Sequence, residues 1–368
     1  MGYTRAMEEL SGKTAVITGA ASGIGLALAH HFGAEGMQLV LADIEAEPLA
    51  EADAALTAKG YTTMPFELDV RDLEQVIALE AAARERFGNI HLLCNNAGVG
   101  AGGRVAGLDD LEQWKWTIDI NLWGVIYGCK VFLPGMQAHG EPAHIVNTAS
   151  MAGHLSNAGM GPYSISKYGV VSLSETMARE LDGTAVGVSA LCPEFVQTRI
   201  GESDRIMPED MRPEPTPENE AGREFVKALI AAGIETDEVA RAVVNAVIND
   251  EFWIITHEGS NGVCSRSSSN WARDSSESNR WVAWSWLGSR SSSNSMPRNI
   301  ALIALAICAV GTVPAPGRSV TIRSIVAPTR SLHGWSLAYN LGPISASPAA
   351  PANAWVSTVI LSFSMSSA

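Results

Sequence analysis

Lys13-Thr-Ala-Val-Ile-Thr18-Gly19-Ala-Ala-Ser-Gly23-Ile-Gly25 is the stretch that decides the fold. Its opening residues are β-branched and apolar and read as a short buried strand. Three glycines then fall within seven residues, and a helical pattern follows from Leu26 to Phe32. Strand, glycine turn and helix form the context in which backbone cradles a phosphate. Gly19 would permit the tight turn. Gly23 would let backbone approach a pyrophosphate, and Gly25 would let the helix pack close to the sheet. The helix N-terminus offers unpaired N–H groups and a positive dipole end to an anion. The spacing is Gly-x-x-x-Gly-x-Gly rather than Gly-x-Gly-x-x-Gly, so an ordinary glycine-rich turn competes with this reading.

A second strand, Met37 to Ala42, runs into Asp43, eighteen residues past Gly25. A carboxylate there would accept hydrogen bonds from both adenosine ribose hydroxyls and repel a 2′-phosphate. No Arg or Lys stands in the glycine loop or just after Asp43. NAD is therefore expected rather than NADP. Asp43 is also placed to cap a helix beginning near Ala46, which is compatible with the ribose role.

Strands and helices alternate from 13 to 257. The runs at Leu39, His144 to Asn147 and Val186 to Cys192 read as parallel strands covered on both faces. Phe252 to Thr256 would be the last of them. The helices between are amphipathic and rich in Ala. The expected fold is α/β, a Rossmann-like doubly wound parallel sheet with right-handed crossovers.

Tyr163 and Lys167 lie four residues apart, one turn along one helix face, with Ser150 thirteen residues upstream. A phenol is a poor base at neutral pH, and a nearby ammonium stabilises its anion. A Ser hydroxyl would hold the substrate oxygen that gains or loses the proton. Taken alone, a Tyr-x-x-x-Lys pair is equally a solvated helix face.

Together these segments resemble the short-chain dehydrogenase/reductase family over about residues 10 to 257. Thr18-Gly19-x-x-x-Gly23-Ile24-Gly25 resembles its cofactor loop, in which Ser22 and Ile24 also fall. Asp69-Val70 resembles the pair that contacts adenine. Asn95-Asn96-Ala97-Gly98 resembles the end of its fourth strand. Asn121 in Ile-Asn-Leu-Trp-Gly resembles the asparagine that holds a water against the lysine. Pro193 to Thr198, with Val196, resembles the segment beside the nicotinamide. The resemblance implies a hydride transfer between NAD(H) and a secondary alcohol or ketone. Tyr163 would be general base or acid, and Lys167 would lower its pKa and hold nicotinamide ribose. Ser150 would orient the carbinol, and Asn121 would anchor a proton relay. Members with Asn-Leu-Trp-Gly-Val and a late Thr-His imply a hydrophobic substrate, aromatic or alicyclic, and a homo-oligomer, dimer or tetramer. A non-catalytic dinucleotide sensor is the reading from another class, disfavoured by the intact tetrad.

One position departs from the family pattern. Glu194 stands where glycine is usual, and it is expected to weaken cofactor binding or reshape the substrate side. Met151, Met160 and Phe195 suggest an apolar substrate pocket, though core positions suit the methionines equally. Arg199 to about Gly222 has no periodicity and reads as a lid. The eight histidines form no ligand-spaced cluster, so no metal is expected; His30 and His31 read as partly exposed helix residues.

The net charge is −14, with 37 acids and 17 bases in residues 1–258. An acidic domain argues against nucleic acid as a partner. Five cysteines without Cys-x-x-Cys spacing argue against a zinc site or disulfide framework and fit a reducing cytoplasm. The start lacks an apolar stretch, so no secretory signal is expected. After 1–258 the composition changes. Residues 259–368 hold eight Arg, no Lys and six of the ten Trp, with Ser-Arg-Ser-Ser-Ser-Asn twice. This tail reads as a disordered segment or as the product of a shifted reading frame, one that would inactivate the enzyme if it disturbs the fold. Its apolar run, Ile300 to Val313, is shorter than the roughly 20 residues a bilayer span needs, so membrane anchoring is not expected.

Overall fold

The computed structural model describes residues 6–212 and 217–257. The readings that concern the tail, with Cys264, Cys308 and the apolar run, lie outside the described residues.

Seven strands form one parallel sheet in the order β3-β2-β1-β4-β5-β6-β7. They are β1 Thr14–Thr18, β2 Gln38–Asp43, β3 Thr63–Glu67, β4 Leu92–Asn95, β5 Ala143–Thr148, β6 Val186–Cys192 and β7 Trp253–Ile255. Every residue of β1, β4, β5 and β6 is buried, which is why their sequences show no apolar-in, polar-out alternation. In register, Val16 lies beside Val40 on one side and Leu93 on the other.

The helices are α1 Gly23–Ala34, α2 Ala46–Ala58, α3 Leu73–Phe87, α4 Leu111–Ile118, α5 Gly124–His139, α6 Gly161–Glu180, α7 Pro217–Ala231 and α8 Thr236–Asn249. They divide the core in two. Leu28, Phe32, Val243 and Val247 pack on one face of the sheet. Leu79, Phe132, Val170 and Ala178 pack on the other. Asp72 starts α3 sharply, since its carboxylate accepts from the amides of Glu74 and Gln75 at 2.9 and 3.3 Å.

Sheet order reverses between β1 and β4, so their C-terminal ends bound the crevice in which a doubly wound sheet binds its ligand. The expected strands stand within a residue or two of their predicted ends. The stretch from Arg199, read as a lid and without periodicity in sequence, carries local helical structure among the described residues. It forms 3-10 turns at Ile200–Ile206 and Glu209–Met211, and α7 begins at Pro217. Proline at a first helical position presets φ and loses no hydrogen bond.

Candidate active site

The loop after β1 is built by close approach. Gly19 has φ +67°, and a Cβ there would lie 2.9 Å from the Ala97 Cα. A Cβ on Gly25 would lie 2.0 Å from the Gly19 carbonyl, so only hydrogen lets the first turn of α1 close over the loop. The Thr198 methyl covers Gly23. Ser22 precedes α1 in extended conformation and makes no side-chain cap. Ile24 packs partly buried against the core. The helix N-terminus therefore keeps its N–H groups for an anion.

Thr18 and Asn96 tie this loop to β4. The Thr18 hydroxyl accepts from the amides of Asn96 and Ala97, each at 3.0 Å. The Asn96 side chain donates to the Thr18 carbonyl at 3.0 Å. Asn95, by contrast, turns its amide into the core, donating to Asn147 at 2.9 Å and lying 3.4 Å from the Cys129 sulfur. Asn96, not the expected Asn95, is therefore the asparagine that faces the glycine loop.

Asp43 ends β2 and holds the glycine loop to the residues that follow β2. One oxygen accepts from the Ala21 amide and the other from the Glu45 amide, both at 3.0 Å. Burial holds its carboxyl above the usual range, and the two amides oppose that. Asp69 is gripped by the Arg71 guanidinium at 2.6 Å, and Val70 turns its side chain onto Gly124. Both would reach an adenine chiefly through backbone.

Ser150, Tyr163 and Lys167 converge at the ends of β5 and β6. Ser150 caps a 3-10 turn, accepting from the Ala152 amide at 3.1 Å and donating to the Pro193 carbonyl at 3.3 Å. Tyr163 lies in the first turn of α6. Its phenol departs from expectation. Burial raises its pKa, and a hydrogen bond with the Ser150 side chain pulls it down. Lys167 is buried, with its ammonium 5.7 Å from the Tyr163 ring centroid. It donates to the Thr148 carbonyl at 2.8 Å rather than to the phenol. Burial pushes Lys167 down to about 8, against a raising influence from Cys192.

Asn121 sits in a π-helical turn, Asp119–Trp123, between α4 and α5. Its side chain is fixed by Val99, donating to the carbonyl at 2.9 Å and accepting from the amide at 2.8 Å. Gly98 lies between Asn121 and Lys167; a Cβ on it would be 3.2 Å from Asn121 Oδ1 and 3.6 Å from Lys167 Nζ. Pro193 and Val196 are buried, and Val196 pairs with Ile234. Thr198 accepts from the Ile200 amide at 3.4 Å. Glu194 is exposed. Of the three substrate candidates, Met151 joins the core, Met160 is half-buried and Phe195 is 39% exposed. His31 faces Asp237 of α8 at 3.3 Å, a tie between helices.

A cavity of about 640 Å³ opens beside the glycine loop, with Ser22, Gly23, Thr198 and Arg199 on its wall. It borders the glycine-loop end of the crevice and not Tyr163. The cradle of Gly19 and Gly25, the bare N-terminus of α1 and the carboxylate of Asp43 fit a dinucleotide.

The sequence model of the family described as short chain dehydrogenase matches residues 13–208. The chain belongs to this family and is an oxidoreductase. It is 35% identical over 249 residues to the 1-deoxy-11-beta-hydroxypentalenate dehydrogenase of Streptomyces avermitilis, spanning 67% of this chain and 86% of that protein. It is 33% identical over 252 residues to the C alpha-dehydrogenase of a Sphingobium species, spanning 68% and 82%. Among solved structures, a short chain dehydrogenase/reductase from Burkholderia phymatum in complex with NAD is 41% identical. It has a TM-score of 0.66 and covers 72% of this chain and 97% of that one. No helix among the described residues is long and apolar enough to cross a membrane.

Proposed function

We propose that residues 1–258 form an NAD-dependent dehydrogenase that oxidises a hydrophobic secondary alcohol to its ketone, reversibly. The observation that carries this reading is the convergence of Ser150 and Tyr163 with the buried Lys167 ammonium, which lies 5.7 Å from the Tyr163 ring centroid. Bound nicotinamide supplies the hydride acceptor at C4. The protein's own part is proton transfer and positioning.

In oxidation Tyr163 takes the carbinol proton on its phenol oxygen, and in reduction it returns a proton to the carbonyl oxygen. Its raised pKa suits the acid role. The base role needs positive charge nearby, which Lys167 and an oxidised nicotinamide would supply. Ser150 holds the substrate oxygen and stabilises charge developing there. Asn121, locked by Val99, holds a water through which Lys167 exchanges protons with solvent. Asp43 accepts from the adenosine ribose hydroxyls and disfavours a 2′-phosphate, so NAD is preferred. Gly19, Ser22, Gly23, Ile24 and Gly25 cradle the pyrophosphate. Asp69, Val70, Ala97 and Gly98 line the adenosine and ribose side, while Asn95, held in the core by Asn147, supports that wall from behind. Pro193, Val196 and Thr198 line the nicotinamide side. Met160 and Phe195 border the substrate, a small-molecule alcohol or ketone. The protein works as a cytoplasmic homo-oligomer.

The test is NADH absorbance when the purified chain meets NAD⁺ and a panel of aromatic and alicyclic secondary alcohols. Turnover should vanish in Tyr163→Phe while NADH still binds. Turnover unchanged in that variant would overturn the assignment.

A further inference from the structure

Arg205 and Glu45 stand 160 residues apart in the chain and meet in a forked ion pair. The Arg205 Nε lies 3.1 and 3.2 Å from the two Glu45 oxygens, and Nη2 lies 2.7 Å from one of them. The remaining nitrogen, Nη1, donates to the carbonyls of Arg199 and Glu202, each at 3.2 Å. One guanidinium thus organises its own 3-10 turn and docks that turn on a distant carboxylate. The two side chains are only 23% and 19% exposed. The surface pair Lys115–Glu112 is 60% exposed on each side. Planar, two-pronged Arg–carboxylate geometry resists loss to solvent better than a lone contact of that kind.

The location gives the pair its meaning. Glu45 follows Asp43 by two residues, and its amide donates to the Asp43 carboxylate. The same 3-10 segment has a second anchor. Buried Ser203 accepts from the Gly100 amide at 2.9 Å and donates to the Ile200 carbonyl at 2.7 Å. Gly100 follows Gly98 by two residues, just beyond the end of β4. The anchors therefore sit past the ends of β2 and β4, the strands flanking β1 and its glycine loop. The segment Ile200–Ile206 bridges the crevice from its adenosine rim to its β4 rim.

We propose that the Arg205–Glu45 pair is a clasp that holds the Ile200–Ile206 segment across the dinucleotide crevice and slows cofactor release. The proposal rests on the reading of that crevice as the NAD site. Arg205 and Glu45 act on the cofactor through the segment they hold, so they are positioning residues. A dinucleotide leaving the crevice must displace the segment, and the fork must open first. The Ser203–Gly100 contact is a single neutral hydrogen bond, so the charged fork is the stronger tie.

The experiment compares the full chain with Glu45→Gln, Arg205→Met, the charge-swapped double variant Glu45→Arg/Arg205→Glu, and Glu112→Gln as a surface control. NADH dissociation is followed by its fluorescence on dilution, and amide exchange across 200–206 is followed without nucleotide. Each single variant should release NADH about five- to tenfold faster, as expected when a charge-assisted fork is lost, and exchange faster at 200–206. The swap should recover part of both. Glu112→Gln should match wild type. Added salt should speed release from wild type and leave the single variants unchanged. NADH that leaves both single variants at the wild-type rate would overturn the clasp while leaving the NAD reading intact. A wild-type chain that binds no NADH would overturn the NAD reading, and the retention role with it, whatever exchange shows.

Discussion

Replacing Lys167 by Met should make the protein more stable and leave it inactive. The lysine is 3% exposed, and burial lowers its pKa from 10.5 to about 8. At about 1.36 kcal/mol per pKa unit, that gap corresponds to roughly 3 kcal/mol of penalty on the charged form in the fold. Its hydrogen bond to the Thr148 carbonyl, at 2.8 Å, returns about 1 kcal/mol of that. Met has a similar length, carries no charge and packs adaptably. The expected net gain is about 2 kcal/mol at pH 7.

The sign can be worked through pH. Below about 8 the lysine is protonated in both folded and unfolded chains, so the penalty is fully present. Between about 8 and 10.5 the unfolded chain holds more protons than the folded one, so wild-type stability rises with pH. The advantage of Lys167→Met should therefore shrink across that window and be small above it. Urea unfolding followed by far-ultraviolet circular dichroism, at pH 7 and at pH 10.5, measures the gap. A variant less stable than wild type at pH 7, or a gap that stays constant with pH, would refute the reasoning. Dehydrogenase turnover should be lost at every pH.

Gly19→Ala should cost about 1–3 kcal/mol through its left-handed φ and its collision with Ala97; thermal melts check the stability, and NADH titration should show binding lost. Glu194→Gly should tighten NADH binding if the exposed carboxylate stands near the nicotinamide, and an unchanged dissociation constant would remove Glu194 from the cofactor site. Acid should destabilise the fold through His91, whose ring accepts from the Thr14 amide at 3.2 Å. Burial lowers its pKa and the Glu141 hydrogen bond opposes this, so its contribution is present above 6.5 and lost as pH falls below that value. His91→Gln should flatten that limb of a melting-temperature profile against pH.

Local pattern made the strands, the glycine loop and the Tyr163–Lys167 face readable, because each depends on residues within one turn or one strand. The two asparagines after Cys94 show where that stops. Adjacent residues on extended backbone point to opposite sides, so one asparagine faces the glycine loop and the other the core. Nothing in the local sequence says which. The core of β5 decides it, since Asn147 takes the Asn95 amide and leaves Asn96 for Thr18. Arg205 was equally hidden. It lies in a stretch without periodicity, and its carboxylate partner is on the far side of the sheet order. The absence of a cation next to Asp43 in sequence held only along the chain, because folding brings Arg205 to Glu45.

The most consequential contacts join motifs rather than lie within them. The Lys167 ammonium donates to the Thr148 carbonyl. The Thr148 hydroxyl is 3.5 Å from the Asn96 side-chain oxygen, and the Asn96 amide donates to the Thr18 carbonyl. Lys167 and the glycine loop are thus ends of one short polar chain through β5, β4 and β1, which are neighbours only because the sheet order places them so. A change at Thr148 or Asn96 should therefore be felt at both ends. Asn96→Ala would leave the Thr18 carbonyl without its side-chain donor and release the Thr148 hydroxyl from its acceptor. Weaker NADH binding and a shifted pH–rate limb should then appear together in that one variant. Weaker binding with an unmoved limb would show that the chain of contacts ends at the loop.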